Sequence, residues 1–179
     1  MREPWLFARV CVPGRLYRVS RPGRSLGSGA RVSEEVVERW VRGIAERLDA
    51  VLGEDRAVDY VCLLGRKPHG KREIADFYDA RGPWDGDAPD TLRNPPWGAF
   101  LNSVARGRLV FRVRHFPSID GTELPLGYPE EAAGHILGLL RGGRPVLVGC
   151  SAGCTRTGAV LTALMRILRT NGARARRAE

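Results

Sequence analysis

A short apolar run, Val146-Leu147-Val148, passes through the small residues Gly149-Cys150-Ser151-Ala152-Gly153 into a segment where Ala159, Leu161, Leu164 and Ile167 mark a helix. A buried strand that feeds a helix through so tight a turn is the building unit of an α/β domain. The same alternation recurs upstream. Leu6 to Val12 and Leu16 to Ser20, separated by Pro13-Gly14, read as a hairpin. Ser33 is placed to cap a helix with Glu34 and Glu35 in its first turn, and Val37, Val41, Ile44, Leu48 and Val51 recur at helical spacing up to Gly53. Tyr60 to Leu64 is a buried strand, Leu109 to Val113 another, and Pro129, Glu130 and Glu131 open a helix that closes at Gly142-Gly143 before the strand Pro145 to Val148.

The expectation is a single α/β domain spanning 1–179, with a central, mostly parallel sheet flanked by helices. Residues Arg66 to Ala99, with Pro68, Pro83, Pro89, Pro95 and Pro96, read as a long irregular segment, and the chain ends in a basic tail over 173–179 that includes Arg174, Arg176 and Arg177. In sheets of this type ligands bind where loops leave the carboxyl ends of the strands. Two loops qualify, one after Val113 and one after Val148.

Charge narrows the partners. The chain carries 29 basic and 20 acidic residues, a net +9, and all but Lys67 and Lys71 of the basic residues are arginine. Arginine forks match phosphate oxygens, which admits a nucleic-acid partner. Compositional bias is the preferred explanation, because glutamine is absent and asparagine occurs only at Asn94, Asn102 and Asn171, a thermophile-like poverty in labile amides. Cys11, Cys62, Cys150 and Cys154 show no CxxC spacing, which points to a reducing cytoplasm rather than a disulfide framework. Trp5 to Pro13 is interrupted by Arg9 and does not read as a signal peptide, and no run approaches the roughly 18 apolar residues of a membrane span.

The loop from Cys150 to Gly158 concentrates the chemistry. Successive amides turned inward at a helix N-terminus hold an anion and stabilise a thiolate, and the thiolate is the reactive form of cysteine. Arg156, six positions after Cys150, can grip two phosphate oxygens at once, Gly153 permits the tight turn, and Thr157 can donate a hydrogen bond to the sulfur.

Cys150-Ser151-Ala152-Gly153-Cys154-Thr155-Arg156-Thr157-Gly158 resembles the signature loop of the cysteine-dependent protein tyrosine phosphatase superfamily, closest to its compact dual-specificity-like members. The resemblance implies a protein tyrosine phosphatase-like fold and hydrolysis of phosphotyrosine, with phosphoserine and phosphothreonine as further substrates, through a phosphocysteine intermediate without metal or cofactor. It places Cys150 as nucleophile, Ser151, Ala152, Gly153, Cys154, Thr155 and Arg156 around the phosphate, and Thr157 beside the sulfur. Phe116-Pro117-Ser118-Ile119-Asp120-Gly121 resembles the family's acid loop and puts Asp120, thirty positions before Cys150, in the place of the general acid. Pro83-Trp84-Asp85 is a rival for that role. Phosphorylated proteins acted on by a monomer are the implied substrates; an RNA 5′-phosphatase and a phosphate-binding or RNA-binding module without turnover are the alternatives.

The resemblance is strongest over Leu109 to Ile167. Relatives carry histidine just before the nucleophile, where this chain has Gly149, and the water-positioning glutamine of larger members has no counterpart, so Asp120 would serve as base in the second step. Lipid-phosphatase relatives carry lysines in the loop, and this loop has none. Cys154 could form a disulfide with an oxidised Cys150 or simply pack. Cys11 and Cys62 read as core thiols and His115 as a structural histidine; Ser20-Arg21-Pro22-Gly23 loosely resembles an N-terminal motif of the family's small members, which would put Arg21 at the border of the pocket, but a solvated turn is the preferred reading.

Overall fold

The computed structural model describes residues 6–12, 14–23, 32–64, 96–116 and 124–175, with backbone alone at 96–97 and 172–175. The apolar run before the cysteine loop is the fifth of five strands among the described residues: β1 (Phe7–Arg9), β2 (Leu16–Ser20), β3 (Ala57–Cys62), β4 (Val110–His115) and β5 (Val146–Cys150). They form one sheet in the order β1-β2-β5-β3-β4, in which only β1 runs antiparallel to its neighbour. All five residues of β5 are buried, the state of a central strand covered on both faces.

Side-chain alternation sorts the sheet into two cores. Tyr17, Val19, Val58, Tyr60, Cys62, Phe111, Val113 and Leu147 pack with helices α1 (Glu34–Leu48) and α2 (Pro96–Ala105). Leu16, Val61, Leu63, Val146, Val148 and Cys150 face the other way, against α3 (Tyr128–Arg141) and α4 (Thr155–Ala175). The result is a three-layer α/β arrangement with a mixed, mostly parallel sheet between two helical layers. Among the described residues no helix is long and apolar enough to cross a membrane.

Several elements differ from the sequence reading. The helix opened by Ser33 has regular α geometry only to Leu48, and Val51 falls in a following single turn of tighter helix, Asp49–Val51. The Ser33 carbonyl accepts the amides of Val36 and Val37, while its side chain makes no cap. Strand β3 begins three residues before Tyr60 and ends at Cys62. Asp59 conceals its start, since a carboxylate at 4% exposure is foreign to strand interiors unless paired. The pairing is with Arg144, whose Nε donates to Asp59 at 2.9 Å.

Helix α2 was not expected. Pro96, read as part of an irregular stretch, is its first residue, where the missing N–H costs nothing. Residues 65–95 of that stretch lie outside the described residues. Helix α4 runs to Ala175, through the first residues assigned to the tail. Cys11 is exposed beyond β1, so it is not a core thiol, whereas Cys62 is fully buried.

Candidate active site

The chain leaves β5 toward α4 on one face of the sheet, whereas among the described residues the helices that follow the flanking strands β2 and β3 are α1 and α2 on the opposite face. Where neighbouring strands send their chains to opposite faces, a crevice opens at their carboxyl ends. Cys150 is the last residue of β5 and stands at that point, 2% exposed, with its side chain on the α3/α4 side.

Backbone bonds hold the start of the loop on both sides. The Leu63 amide donates to the Gly149 carbonyl at 2.8 Å, and the Arg21 amide donates to the Ser151 carbonyl at 3.1 Å. Gly153 has φ +69°, and a methyl group there would lie 2.7 Å from the Val19 carbonyl oxygen. Only glycine fits that left-handed turn without displacing β2. Helix α4 starts two residues later at Thr155, so the amides of its first turn have no intrahelical acceptor and face the loop end.

Arg156, 4% exposed, occupies the second position of α4 and its Nη1 donates to the Leu63 carbonyl at 3.0 Å. Leu63 therefore ties the strand bearing Cys150 to Arg156 through its own amide and carbonyl. Thr157 is fully buried, and its Oγ1 has no hydrogen-bond partner among the described residues, so the expected bond to the sulfur is not formed. Ser151 and Ala152 are half-buried, while Cys154 and Thr155 are exposed. The Cys154 thiol donates to the Ala152 carbonyl at 3.5 Å, and both Cys150 and Cys154 are free thiols.

Arg21 is the residue that sequence reasoning placed wrongly. It is 2% exposed, not part of a solvated turn, and directly follows Ser20, which pairs with Cys150 across the sheet. Ser20 is itself fixed: its carbonyl accepts the Trp40 indole N–H at 2.9 Å and its hydroxyl accepts the Leu6 amide at 2.9 Å. The signal was available in the Ser20-Arg21-Pro22-Gly23 segment, but an arginine beside proline and glycine reads as surface. His115 has the structural role expected of it, bonding the Leu64 carbonyl through Nε2.

Gly149 has a steric reason of its own. A methyl group there would lie 2.7 Å from the Val19 carbonyl oxygen and 2.8 Å from Val19 Cγ2, with the Tyr60 hydroxyl at 3.4 Å. The volume that a side chain would claim is filled by β2 and β3. Gly149→Ala is accordingly expected to destabilise the fold by about 1–3 kcal/mol, the usual cost of overpacking, measured by denaturant unfolding. Stability within experimental error of wild type would show that β2 yields freely at this point.

Asp120 and the rest of 117–123 lie outside the described residues, as does Asp85. Among the described residues, no group of three His, Cys, Asp or Glu side chains could hold a metal ion. Comparison of the chain with protein-family models, with curated proteins and with solved structures found no match.

Proposed function

We propose that the protein is a cysteine-dependent phosphatase that hydrolyses phosphotyrosine in proteins, with a fold of the protein tyrosine phosphatase type. One observation carries the reading: a thiol at the carboxyl end of the central strand and a buried arginine in the first turn of the following helix close a single small-residue loop. That is the geometry an anion needs, with helix amides on one side and a guanidinium on the other. Thr157 Oγ1 supports it, because a buried hydroxyl without a partner is costly and is explained by a partner arriving during the reaction.

The Cys150 thiolate attacks phosphorus, the P–O bond to the leaving group breaks, and the departing oxygen takes the proton of the Asp120 carboxylic acid. In the second step the Asp120 carboxylate takes a proton from water as that oxygen attacks phosphorus. The P–S bond breaks, its electron pair returns to sulfur, and inorganic phosphate leaves. Arg156 holds two nonbridging oxygens in both steps, and Thr157 stabilises the departing thiolate.

Assay of wild type on a phosphotyrosine peptide, a phosphoserine peptide and 5′-triphosphorylated RNA tests the substrate class. Turnover of the first alone, or of both peptides, supports the reading. Turnover of RNA alone makes the enzyme an RNA 5′-phosphatase. Steeply salt-dependent RNA binding without any hydrolysis makes it a binding module. The acid is tested separately: Asp120→Ala is expected to lower kcat on phenyl phosphate about 100-fold, in the range of general acid catalysis, while Asp85→Ala stays within about twofold. The opposite ranking would transfer the acid role to Asp85.

A further inference from the structure

Ser20 stands beside Cys150 across the sheet. It is the register partner of Cys150 in the parallel pairing of β2 with β5, and the two residues are 1% and 2% exposed. Partnered residues of neighbouring strands project to the same face, and so do residues four apart on one strand. Leu16, four residues before Ser20 on β2, packs with Cys150 in the core covered by α3 and α4. The Ser20 side chain therefore lies on the same side of the sheet as the sulfur, one strand spacing away.

The backbone holds the hydroxyl oxygen in place. The Leu6 amide donates to Ser20 Oγ at 2.9 Å, and the Ser20 amide donates to the Leu6 carbonyl at 3.0 Å. A hydroxyl carries one proton besides its acceptor sites, and this one is used only as an acceptor. Among the described residues nothing takes the proton. The Leu6 bond accounts for the oxygen and leaves a buried donor with no use in the fold, next to a thiol.

We infer that the Ser20 hydroxyl donates to Cys150 Sγ as phosphocysteine breaks down, a second hydroxyl at the sulfur besides that of Thr157. This rests on the phosphatase reading above. When the P–S bond breaks its electron pair returns to sulfur, so negative charge develops on one buried atom, where a preplaced donor has its largest effect. Neighbouring strands lie about 4.8 Å apart, so an oxygen and a sulfur on partnered residues come within reach once a side chain leans across. The neutral thiol receives no bond from Ser20, just as it receives none from Thr157. Thiolate attack gains nothing from the same donor, because charge is then leaving the sulfur. Ser20 thus matters to the second step and not to the first.

The test compares kcat and kcat/KM of wild type and Ser20→Ala on dinitrophenyl phosphate. The dinitrophenolate leaves without a proton, so phosphocysteine forms fast and its breakdown sets kcat, whereas kcat/KM reports events up to the first P–O cleavage. Ser20→Ala is expected to lower kcat about tenfold, the loss of one hydrogen bond to a charged atom, and kcat/KM less than about twofold, with a burst of about one equivalent of dinitrophenolate. A purely structural role gives another pattern. Leu6 rests against the loop, since a methyl group at Gly153 would lie 3.0 Å from Leu6 Cδ2, so loosening Leu6 would disturb phosphate binding and lower both constants together. Equal losses in the two constants, or no loss in either, overturn the inference. Should Ser20→Ala fail to fold, as judged by its thermal unfolding, Ser20→Cys carries the same test, since a thiol nearly keeps the side chain's shape and is a weak donor. An about threefold loss confined to kcat supports the inference, and an equal loss in both constants or none overturns it. Failure of the phosphatase reading is separately visible, because wild type would then show no burst and turn over at the same rate as Cys150→Ser.

Discussion

If Cys150 is the nucleophile as proposed, Cys150→Ser is expected to lower kcat on phosphotyrosine peptide by about four orders of magnitude, the scale of removing a nucleophile whose partners remain in place. The replacement changes one atom at a position that is 2% exposed and lies at the end of a fully buried strand, so packing is nearly preserved. The chemistry is not. Sulfur is the more polarisable and intrinsically stronger nucleophile, and a serine hydroxyl in its place needs an adjacent general base to attack at all. The serine variant should therefore bind phosphotyrosine peptide about as tightly as wild type, within about threefold by calorimetry, because the amides, Arg156 and the loop geometry are retained. Loss of turnover with retained binding identifies the sulfur as nucleophile. Equal turnover by wild type and variant on every phosphoester tested would end the cysteine mechanism.

The layer architecture was legible because its signals are local. Apolar β-branched runs, helical spacing and the Pro129-Glu130-Glu131 start each act within a dozen residues, and all correspond to observed elements. What escaped the sequence depends either on partners far along the chain or on a local signal with two meanings. Strand β3 starts ahead of its apolar run, and Asp59 looks hostile to a strand until Arg144, 85 residues away, is seen beside it. Helix α2 was missed because Pro95-Pro96 reads as a breaker, whereas the same proline at a first helical position is an ordinary start.

The candidate site divides in the same way. Cys150, Gly153 and Arg156 stood out because they share one contiguous loop. Leu63, which joins the strand of Cys150 to Arg156, contributes only backbone atoms and leaves no trace in residue type. Arg21 comes to the loop through the pairing of β2 with β5, more than a hundred positions apart, and composition pointed the other way. Several of the arginines have a structural use among the described residues. Arg56 pairs with Asp49, Arg108 with Glu38 and Arg112 with Asp55, and the Arg108 hydrogen bond holds the Glu38 carboxyl below its usual range. Such exposed pairs are worth little individually. They show how a chain can accumulate arginine without a nucleic-acid partner.

Arg156→Lys separates that background from the one arginine with a proposed chemical task, and is expected to lower kcat/KM by about 1000-fold at unchanged net charge. The geometry explains why lysine fails. One guanidinium nitrogen already donates to the Leu63 carbonyl at 3.0 Å. A planar fork presents its N–H groups in fixed directions, so in the proposed mechanism one side chain can serve both the backbone and phosphate oxygens. A lysine ammonium is a single point charge on a flexible stem; if it satisfies Leu63 it cannot bridge the oxygens, and if it reaches the phosphate it leaves a buried carbonyl unsatisfied. The loss should appear in both constants, since the bidentate grip serves the bound ester and strengthens as charge develops on the oxygens in the transition state. Inhibition by vanadate reports the ground-state share without turnover. Arg112→Lys, an exposed partner of Asp55 on the edge strand, is the control and should stay within about twofold of wild type. If Arg156→Lys also stays within about threefold, positive charge alone suffices at this position, and the bidentate assignment of Arg156 is wrong even if Cys150 remains the nucleophile.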